Sequence, residues 1–120
     1  MIDRALMIKW IDALRSGDYP KQIRGFLHTP EGLDAMGVLC DVVDPQGWDI
    51  EHPYTHKNKP VVYYGFTYKG ISSTYTLPTT LQDALGVEEN FSYYMVEMND
   101  KKCLDFKQIA DYLERAYIVN

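Results

Sequence analysis

Three segments of the chain carry apolar residues at the spacing of an α-helix. The first is 3–16, where an apolar stripe lies opposite charged residues and Gly17 follows as the expected stop. The second is 34–44, which has a broader apolar arc. The third is 106–117, with Asp105 as its N-cap. The pattern predicts an amphipathic helix near each end of the chain and another between them.

Apolar and polar residues alternate along the segment 61–77 as they would in two antiparallel strands. A two-residue turn at 69–70 joins them. The predicted pairs are Tyr68 with Ile71, Phe66 with Ser73, Tyr64 with Tyr75, and Val62 with Leu77. One face of this hairpin is then apolar and aromatic, whereas the other face, which holds Tyr63 and several threonines, suits water. The alternation therefore predicts a hairpin with one buried face.

The remaining segments have weaker patterns. Residues 22–28 are predicted as a short strand, followed by turn chemistry at 29–32. Residues 45–60 are rich in polar and turn-forming residues and are predicted as a loop around a short strand at 48–50. For 91–98 the aromatic residues favour a strand, and a helix is the alternative.

These elements predict a single α+β domain over 1–120. We expect an antiparallel sheet built on the 61–77 hairpin, with the first and last helices packed on its aromatic face. A short helix is expected over 79–85, ended by a glycine. A more helical architecture is the alternative if 22–28 and 91–98 are not strands.

Length and charge narrow the function classes. The chain has 120 residues, the size of one domain, and a net charge of −5. An acidic chain is poorly suited to tracking phosphates, and no recognition helix follows the last predicted helix, so we expect no DNA binding. No apolar run approaches a membrane span and no signal peptide is apparent, so a soluble cytoplasmic protein is expected.

Polar and aromatic residues suggest one ligand site. The chain has ten tyrosines, and a basic cluster follows the first helix. Arginine and lysine beside tyrosine can hold a nucleotide by charge and stacking, although a helix stop followed by a solvated basic strand explains the same cluster. The candidate ligand-binding residues are Arg15, Lys21, Gln22, Arg24, Tyr63 and Tyr64.

Two sets of residues were considered as metal ligands. His52 and His56 are four residues apart, but Pro53 argues against the helix that would place them together. Asp34 and Asp41 lie on the polar side of the second helix with other carboxylates, as on any solvated helix face. We therefore predict no metal site and no cofactor.

Nucleophilic catalysis has one candidate pair, Cys40 with His28. Cys40 borders the apolar arc of the second helix, and a buried thiol is inert. The two cysteines, Cys40 and Cys103, lack metal-binding spacing and are expected to be reduced thiols. A small enzyme would need a histidine beside a carboxylate in a cleft.

Several motifs lie along almost the whole chain. They are WIDALRSGDY at 10–19 with Gln22 and Gly25 after it, GVLCD at 37–41, and MND at 98–100 leading to DFKQIADYLE at 105–114. In this order they resemble a family of small, uncharacterised phage and prophage proteins. Members of that family often carry adjacent cysteines where this chain has Ala35 and Met36. The swap favours apolar packing at these positions over thiol chemistry.

The resemblance implies a phage or prophage origin and a host cytoplasmic setting, and it brings no established activity. With the tyrosine-rich composition, it leads us to expect a non-enzymatic accessory protein that binds a host protein, for example a counter-defence inhibitor of the anti-CRISPR kind. The alternatives are a sponge that binds a host nucleotide signal and a small enzyme with a histidine–carboxylate site.

Overall fold

The computed structural model describes residues 1–119, with the backbone alone described at 50–54 and 56. The helices are Arg4–Arg15 (α1), Ala35–Val43 (α2), Thr79–Leu85 (α3), Phe91–Val96 (α4) and Phe106–Leu113 (α5). The strands are His28–Thr29 (β1), Gly32–Leu33 (β2), Trp48–His56 (β3), Lys59–Tyr68 (β4) and Ile71–Ser73 (β5). Single π-helical turns follow α4 at Glu97–Lys101 and α5 at Glu114–Ile118. The protein is α+β, as predicted.

Side-chain caps begin the three predicted amphipathic helices. Asp3 accepts a hydrogen bond from the backbone N–H of Leu6 at the start of α1. Asp34 caps α2 in the same way. At α5 the capping box is complete, because Asp105 and Gln108 each accept from the other's backbone N–H. These three helices are confirmed.

The segment 91–98 is helical, so the strand interpretation is wrong. Phe91, Met95 and Met98 are buried, whereas Tyr93 and Tyr94 are exposed. Apolar residues at i, i+4 and i+7 follow the period of a helix, and this spacing outweighs the strand preference of the aromatic residues.

The strand β4 is the centre of the sheet. It pairs antiparallel with β3 along most of its length and with β5 at its far end, and β1 pairs with it at His28. The hairpin turns at the two ends of β4 each have two residues with positive φ, as type I′ turns require. They are Lys57 and Asn58 before the strand and Lys69 and Gly70 after it. The 69–70 turn is confirmed.

The short strand predicted at 48–50 is part of β3, but the loop predicted around it over 45–60 is wrong, because most of this segment is β3 and the turn into β4. In the sequence, a proline and several polar residues favour a loop over a strand here. The predicted strand over 22–28 is reduced to His28 in β1 and an isolated bridge between Gln22 and Leu33. The 29–32 turn is confirmed, since Thr29 pairs with Gly32 across it.

The predicted hairpin holds only near its turn. The pairs Tyr68 with Ile71 and Phe66 with Ser73 are confirmed, whereas the pairs Tyr64 with Tyr75 and Val62 with Leu77 are wrong. The strand β5 ends at Ser73. The next residue, Thr74, accepts a hydrogen bond from the backbone N–H of Leu27, and Tyr64 pairs with His28 of β1. The segment 74–78, which leads to α3, therefore replaces the second half of the predicted strand.

The hydrophobic core is built mainly from the helices. α1 packs against α2 and α5, so the terminal helices have each other as main partners where we had expected the aromatic face of the hairpin. Phe66 of β4 is fully buried in this core and Leu77 is nearly so. Ile71 and Tyr75, predicted to be inside, are 43% and 54% exposed.

The start of α2 is packed closely against the loop before β1. A Cβ at Gly37 would collide with the carbonyl oxygen of Leu27, so this position needs glycine. Ala35 and Met36 are buried beside it, as expected for apolar packing. None of the helices within residues 1–119 is long and apolar enough to cross a membrane.

Candidate functional site

A cavity of about 690 Å³ lies open to solvent beside the first half of β4. Residues 60–62 of the strand line one side, and residues from the 22–31 segment line the rest. We call this cavity the edge groove. Its volume is within the range of ligand sites in proteins, and its walls are both polar and apolar.

The edge groove exists because β1 is short. His28 of β1 pairs with Tyr64 of β4, and two residues later the chain turns back into β2. Pro30 and Glu31 at this turn line the end of the groove. The place beside 60–62 that a longer β1 would occupy is therefore left open.

An aromatic cluster borders the edge groove. Phe26, which lines the groove, stacks on Tyr63 with ring centroids 4.8 Å apart and an interplanar angle of 10°. The Phe26 ring also stacks on Tyr75 at 5.2 Å. We call these three residues the aromatic cluster. Stacked rings that remain partly exposed form a rigid apolar surface that is suited to contact with another molecule.

A buried amide holds one wall of the groove in place. Asn99 in the π-helical turn after α4 is almost fully buried. Its Oδ1 accepts from Gln22 Nε2 at 2.7 Å, and its Nδ2 donates to the Ile23 carbonyl at 2.8 Å. Asp100 accepts from the backbone N–H of Gly25 at 3.2 Å. The network joins Gln22 and Gly25 to Asn99 and Asp100, which are more than 70 residues away in the sequence.

Arg15 lies away from the lining of the edge groove. Its guanidinium donates to Asp111 at 2.7 Å and to Glu114 at 3.2 Å, which ties α1 to the last helix. The hydrogen bonds that the guanidinium donates to these two carboxylates raise the pKa of Arg15 above its usual value, Glu114 contributing most. A nucleotide in the groove would face Arg24 but also the acid Glu31. The predicted convergence of basic residues is absent from the groove lining.

The other predicted site residues are distributed along the groove and the sheet. Gln22 and Arg24 both line the groove, but Gln22 uses its Nε2 on Asn99 and on the Leu104 carbonyl. Lys21 is exposed next to this wall. Tyr63 belongs to the aromatic cluster, and Tyr64 packs on His28 with ring centroids 4.6 Å apart. Their role in ligand binding stays a prediction.

His28 is held in the sheet by its ring. The carbonyl of Gly32 can only accept, so the His28 Nδ1 at 2.8 Å from it carries the proton. The ring also packs on Trp48, with centroids 4.8 Å apart. No carboxylate among the described side chains is hydrogen-bonded to His28. Cys40 is buried, and desolvation raises the pKa of its thiol well above the usual value, so this thiol is not an activated nucleophile.

The carboxylates of α2 have separate structural roles. Asp34 was expected on a solvated face, but it is buried at the N-cap, and this burial raises its pKa well above the ordinary value. Asp41 accepts from the hydroxyl of Tyr19 at 2.8 Å and from the indole of Trp48 at 3.1 Å. Burial, with the bond to Asp41, raises the pKa of Tyr19 to about 12.

The histidines of β3 were considered as metal ligands in the sequence. The side chains of His52 and His56 lie outside the described part of the chain, but their backbone is a strand. Four residues along a strand separate Cα atoms by about 13 Å, so the spacing does not bring the two residues together as one helical turn would. Among the side chains that are described, no group of three or more potential ligands forms a metal cluster.

A second aromatic surface lies on the helical side. Tyr93 and Tyr94 of α4 are exposed, their rings meet edge to face, and with Tyr112 of α5 they line a shallow cavity of about 360 Å³. We call these three residues the helical tyrosine patch. The patch was not predicted, because the aromatic residues of 91–98 favoured a strand over the alternative helix that the structure shows.

Comparison with known proteins gives one match. A family model described as a domain of unknown function, DUF8296, matches residues 2–117. The search of curated proteins and the search of solved structures each found no significant match.

Proposed function

Because the chain belongs to the DUF8296 family, whose description states no activity, its function must be inferred from its surface, and we propose that it is a non-enzymatic protein that binds another protein. The partner docks on the edge groove and the aromatic cluster. This proposal covers the binding surface and the class of ligand.

One observation carries the proposal. Phe26 lines the open groove, and its ring stacks on those of both Tyr63 and Tyr75, so a cavity and a rigid aromatic surface share one residue. Tyr75 is 54% exposed. Aromatic residues beside a pocket are the usual centre of protein–protein contacts, because they bury a large area with little loss of side-chain entropy.

The biological setting is part of the same proposal. The motifs at 10–19, 37–41 and 98–100 resemble those of phage and prophage proteins. A partner from the host cytoplasm fits that resemblance, and inhibition of a host defence protein is the activity that a small non-enzymatic binder would bring to such an element.

The proposal is tested with matched tyrosine variants. Tagged protein is used as bait in a host extract, a captured protein is purified, and its affinity is measured by calorimetry with the wild type and with Tyr75→Ser. Loss of an exposed aromatic contact in the interface is expected to weaken binding by about tenfold or more. Tyr93→Ser removes an equally exposed tyrosine from the helical tyrosine patch and serves as the control.

Retained affinity in Tyr93→Ser with loss in Tyr75→Ser supports the proposed surface. The reverse result would assign binding to the helical tyrosine patch and contradict the proposal. If the purified wild type binds no protein from the extract with measurable affinity, the proposed function fails.

A further inference from the structure

One edge of the strand β4 is paired with other strands at one end and unpaired at the other. Residues flanking a type I′ turn exchange both hydrogen bonds, so Lys59 and every second residue after it direct their backbone groups to β3. Thr67 keeps this alternation, since its N–H donates to the Gly47 carbonyl on the β3 side at 3.0 Å. The even-numbered residues of β4 therefore direct their backbone groups to the opposite edge.

That opposite edge is covered at one end and open at the other. Tyr68 and Phe66 pair there with β5, and Tyr64 pairs there with β1. Continuing the alternation places the backbone groups of Val62 and the carbonyl of Pro60 at the edge groove. No backbone group in the described residues bonds to them there. Proline is tolerated at residue 60, because its nitrogen, which has no hydrogen to donate, faces an edge where no neighbouring strand needs a hydrogen bond.

The charges around the groove favour one kind of occupant. Arg24 lines the groove, is exposed, and forms no ion pair with any side chain that the structure describes. Lys21 and Lys59 are exposed and adjacent in sequence to lining residues on the two sides. Glu31 is the single acid among the lining residues. The lining itself therefore carries one base and one acid, and the two exposed lysines at its borders leave an excess of positive charge there, on a chain whose net charge is −5.

We propose that the edge groove binds an extended, acidic segment of the partner protein, which adds to the sheet as a strand antiparallel to β4. The open edge at Val62 and Pro60 supplies main-chain hydrogen bonds, and Arg24 supplies the charge preference. The segment takes the place that β1 would fill if it continued past the turn at Pro30. Phe26, at the side of the groove, contacts the alternate side chains of the segment. This inference rests on the proposed function and specifies how the partner is bound.

Capped synthetic peptides test the inference without a known partner. One probe alternates glutamate and valine over about five residues, a length of about 17 Å when extended. The matched probe replaces each glutamate by lysine. Binding to ¹⁵N-labelled protein is followed by chemical-shift changes. We expect the acidic peptide to bind more tightly than the basic one, with the largest changes at Val62 and Arg24.

Three variants separate backbone pairing from charge. Val62→Pro removes the N–H that faces the groove and leaves the ladder to β3 intact, so it should weaken acidic-peptide binding about tenfold. Val62→Ala keeps that N–H and shortens the side chain, so it should weaken binding less than Val62→Pro, and an equal loss in the two variants would contradict backbone pairing. Arg24→Glu should reverse the preference between the two peptides, and it provides the test if Val62→Pro does not fold.

The outcomes separate this inference from the proposed function. Equal binding of the two peptides, an unchanged preference in Arg24→Glu, or shift changes at Tyr93 and Tyr94 would overturn the inference. Dimerisation through this edge, seen by sedimentation and abolished by Val62→Pro, would also overturn it, because the occupant would be a second copy. A partner whose affinity falls in Tyr75→Ser but not in Val62→Pro would leave the proposed function standing and refute strand addition.

Discussion

The side-chain amides of Gln22 and Asn99 meet at 2.7 Å, and this contact joins the wall of the edge groove to the π-helical turn after α4. The same Asn99 oxygen accepts from the backbone N–H of Ala35 at the start of α2. One buried residue thus holds the groove wall, a helix start and the helical side of the protein together. Short π-helical segments often occur where a side chain must be placed accurately.

Asn99→Ala should destabilise the protein strongly. It removes the partners of Gln22, Ile23 and Ala35 at a site that is almost fully buried. We expect the free energy of unfolding to fall by about 2–4 kcal/mol, measured by urea denaturation. Gln46→Ala removes an exposed side-chain amide and is the control, which should change the free energy of unfolding by less than about 0.5 kcal/mol. A loss below about 1 kcal/mol in Asn99→Ala would show that the network contributes little.

The buried carboxyl group of Asp34 should make the free energy of unfolding decrease as the pH rises. Desolvation raises its pKa in the folded state well above the unfolded value, the bond from the Gly37 N–H opposing this only in part. The folded state therefore binds the proton more tightly, so stability decreases from about pH 4 upward, through the folded pKa. Asp34→Asn keeps an accepting oxygen and removes this titration.

Urea denaturation at pH 5 and pH 8 measures the effect. Relative to the wild type, the unfolding free energy of Asp34→Asn should be higher at pH 8 than at pH 5. Asp3→Asn makes the same chemical change at the N-cap of α1, where residue 3 is exposed, and isolates the effect of burial. Parallel pH profiles of Asp34→Asn and the wild type would contradict the assignment.

Arg15 should contribute to stability, whereas Arg24 should contribute to peptide binding. Arg15→Gln breaks partly exposed ion pairs with Asp111 and Glu114, so it should lower the unfolding free energy by less than about 1 kcal/mol. It should leave binding of the acidic peptide unchanged. Arg24→Gln should leave stability unchanged and weaken that binding. Loss of peptide binding in Arg15→Gln, measured by the same shift titration, would restore Arg15 to the ligand site.

The two cysteines should react at very different rates. Cys103 is exposed, whereas Cys40 is fully buried with a raised thiol pKa. A disulfide reagent should therefore modify one thiol per native chain quickly and the second only on unfolding. Cys103→Ser should abolish the fast reaction. Fast modification of Cys40 in that variant would mean that α2 opens readily or that its thiol is accessible.

Local patterns were enough to predict the helices α1, α2 and α5. Their periodicity, the cap at residue 105 and the turn at 69–70 were visible in the sequence, whereas the caps at residues 3 and 34 were not predicted. The segment 91–98 also carried a helical spacing, which its aromatic residues obscured. These elements depend on residues close together in the chain, so the sequence contains their signals.

The groove depended on contacts between distant segments. The pairing of β1 with β4 and the bond of Gln22 to Asn99 join residues that no local pattern connects. Arg24 was predicted as a site residue and does line the groove, but Phe26 and Val62 were not identified. Their role follows from the short β1, which is a property of the tertiary fold.

The amide hydrogen of Val62 tests the central claim most directly. Exchange of the Val62 and Val61 amides with deuterium is measured by NMR in the free protein and with the acidic peptide bound. The structure predicts that Val61, paired with β3, is protected in both states, and that Val62 exchanges quickly when free and slowly in the complex. A Val62 amide that is already protected in the free protein, or that stays unprotected at peptide saturation, would contradict strand addition at this edge.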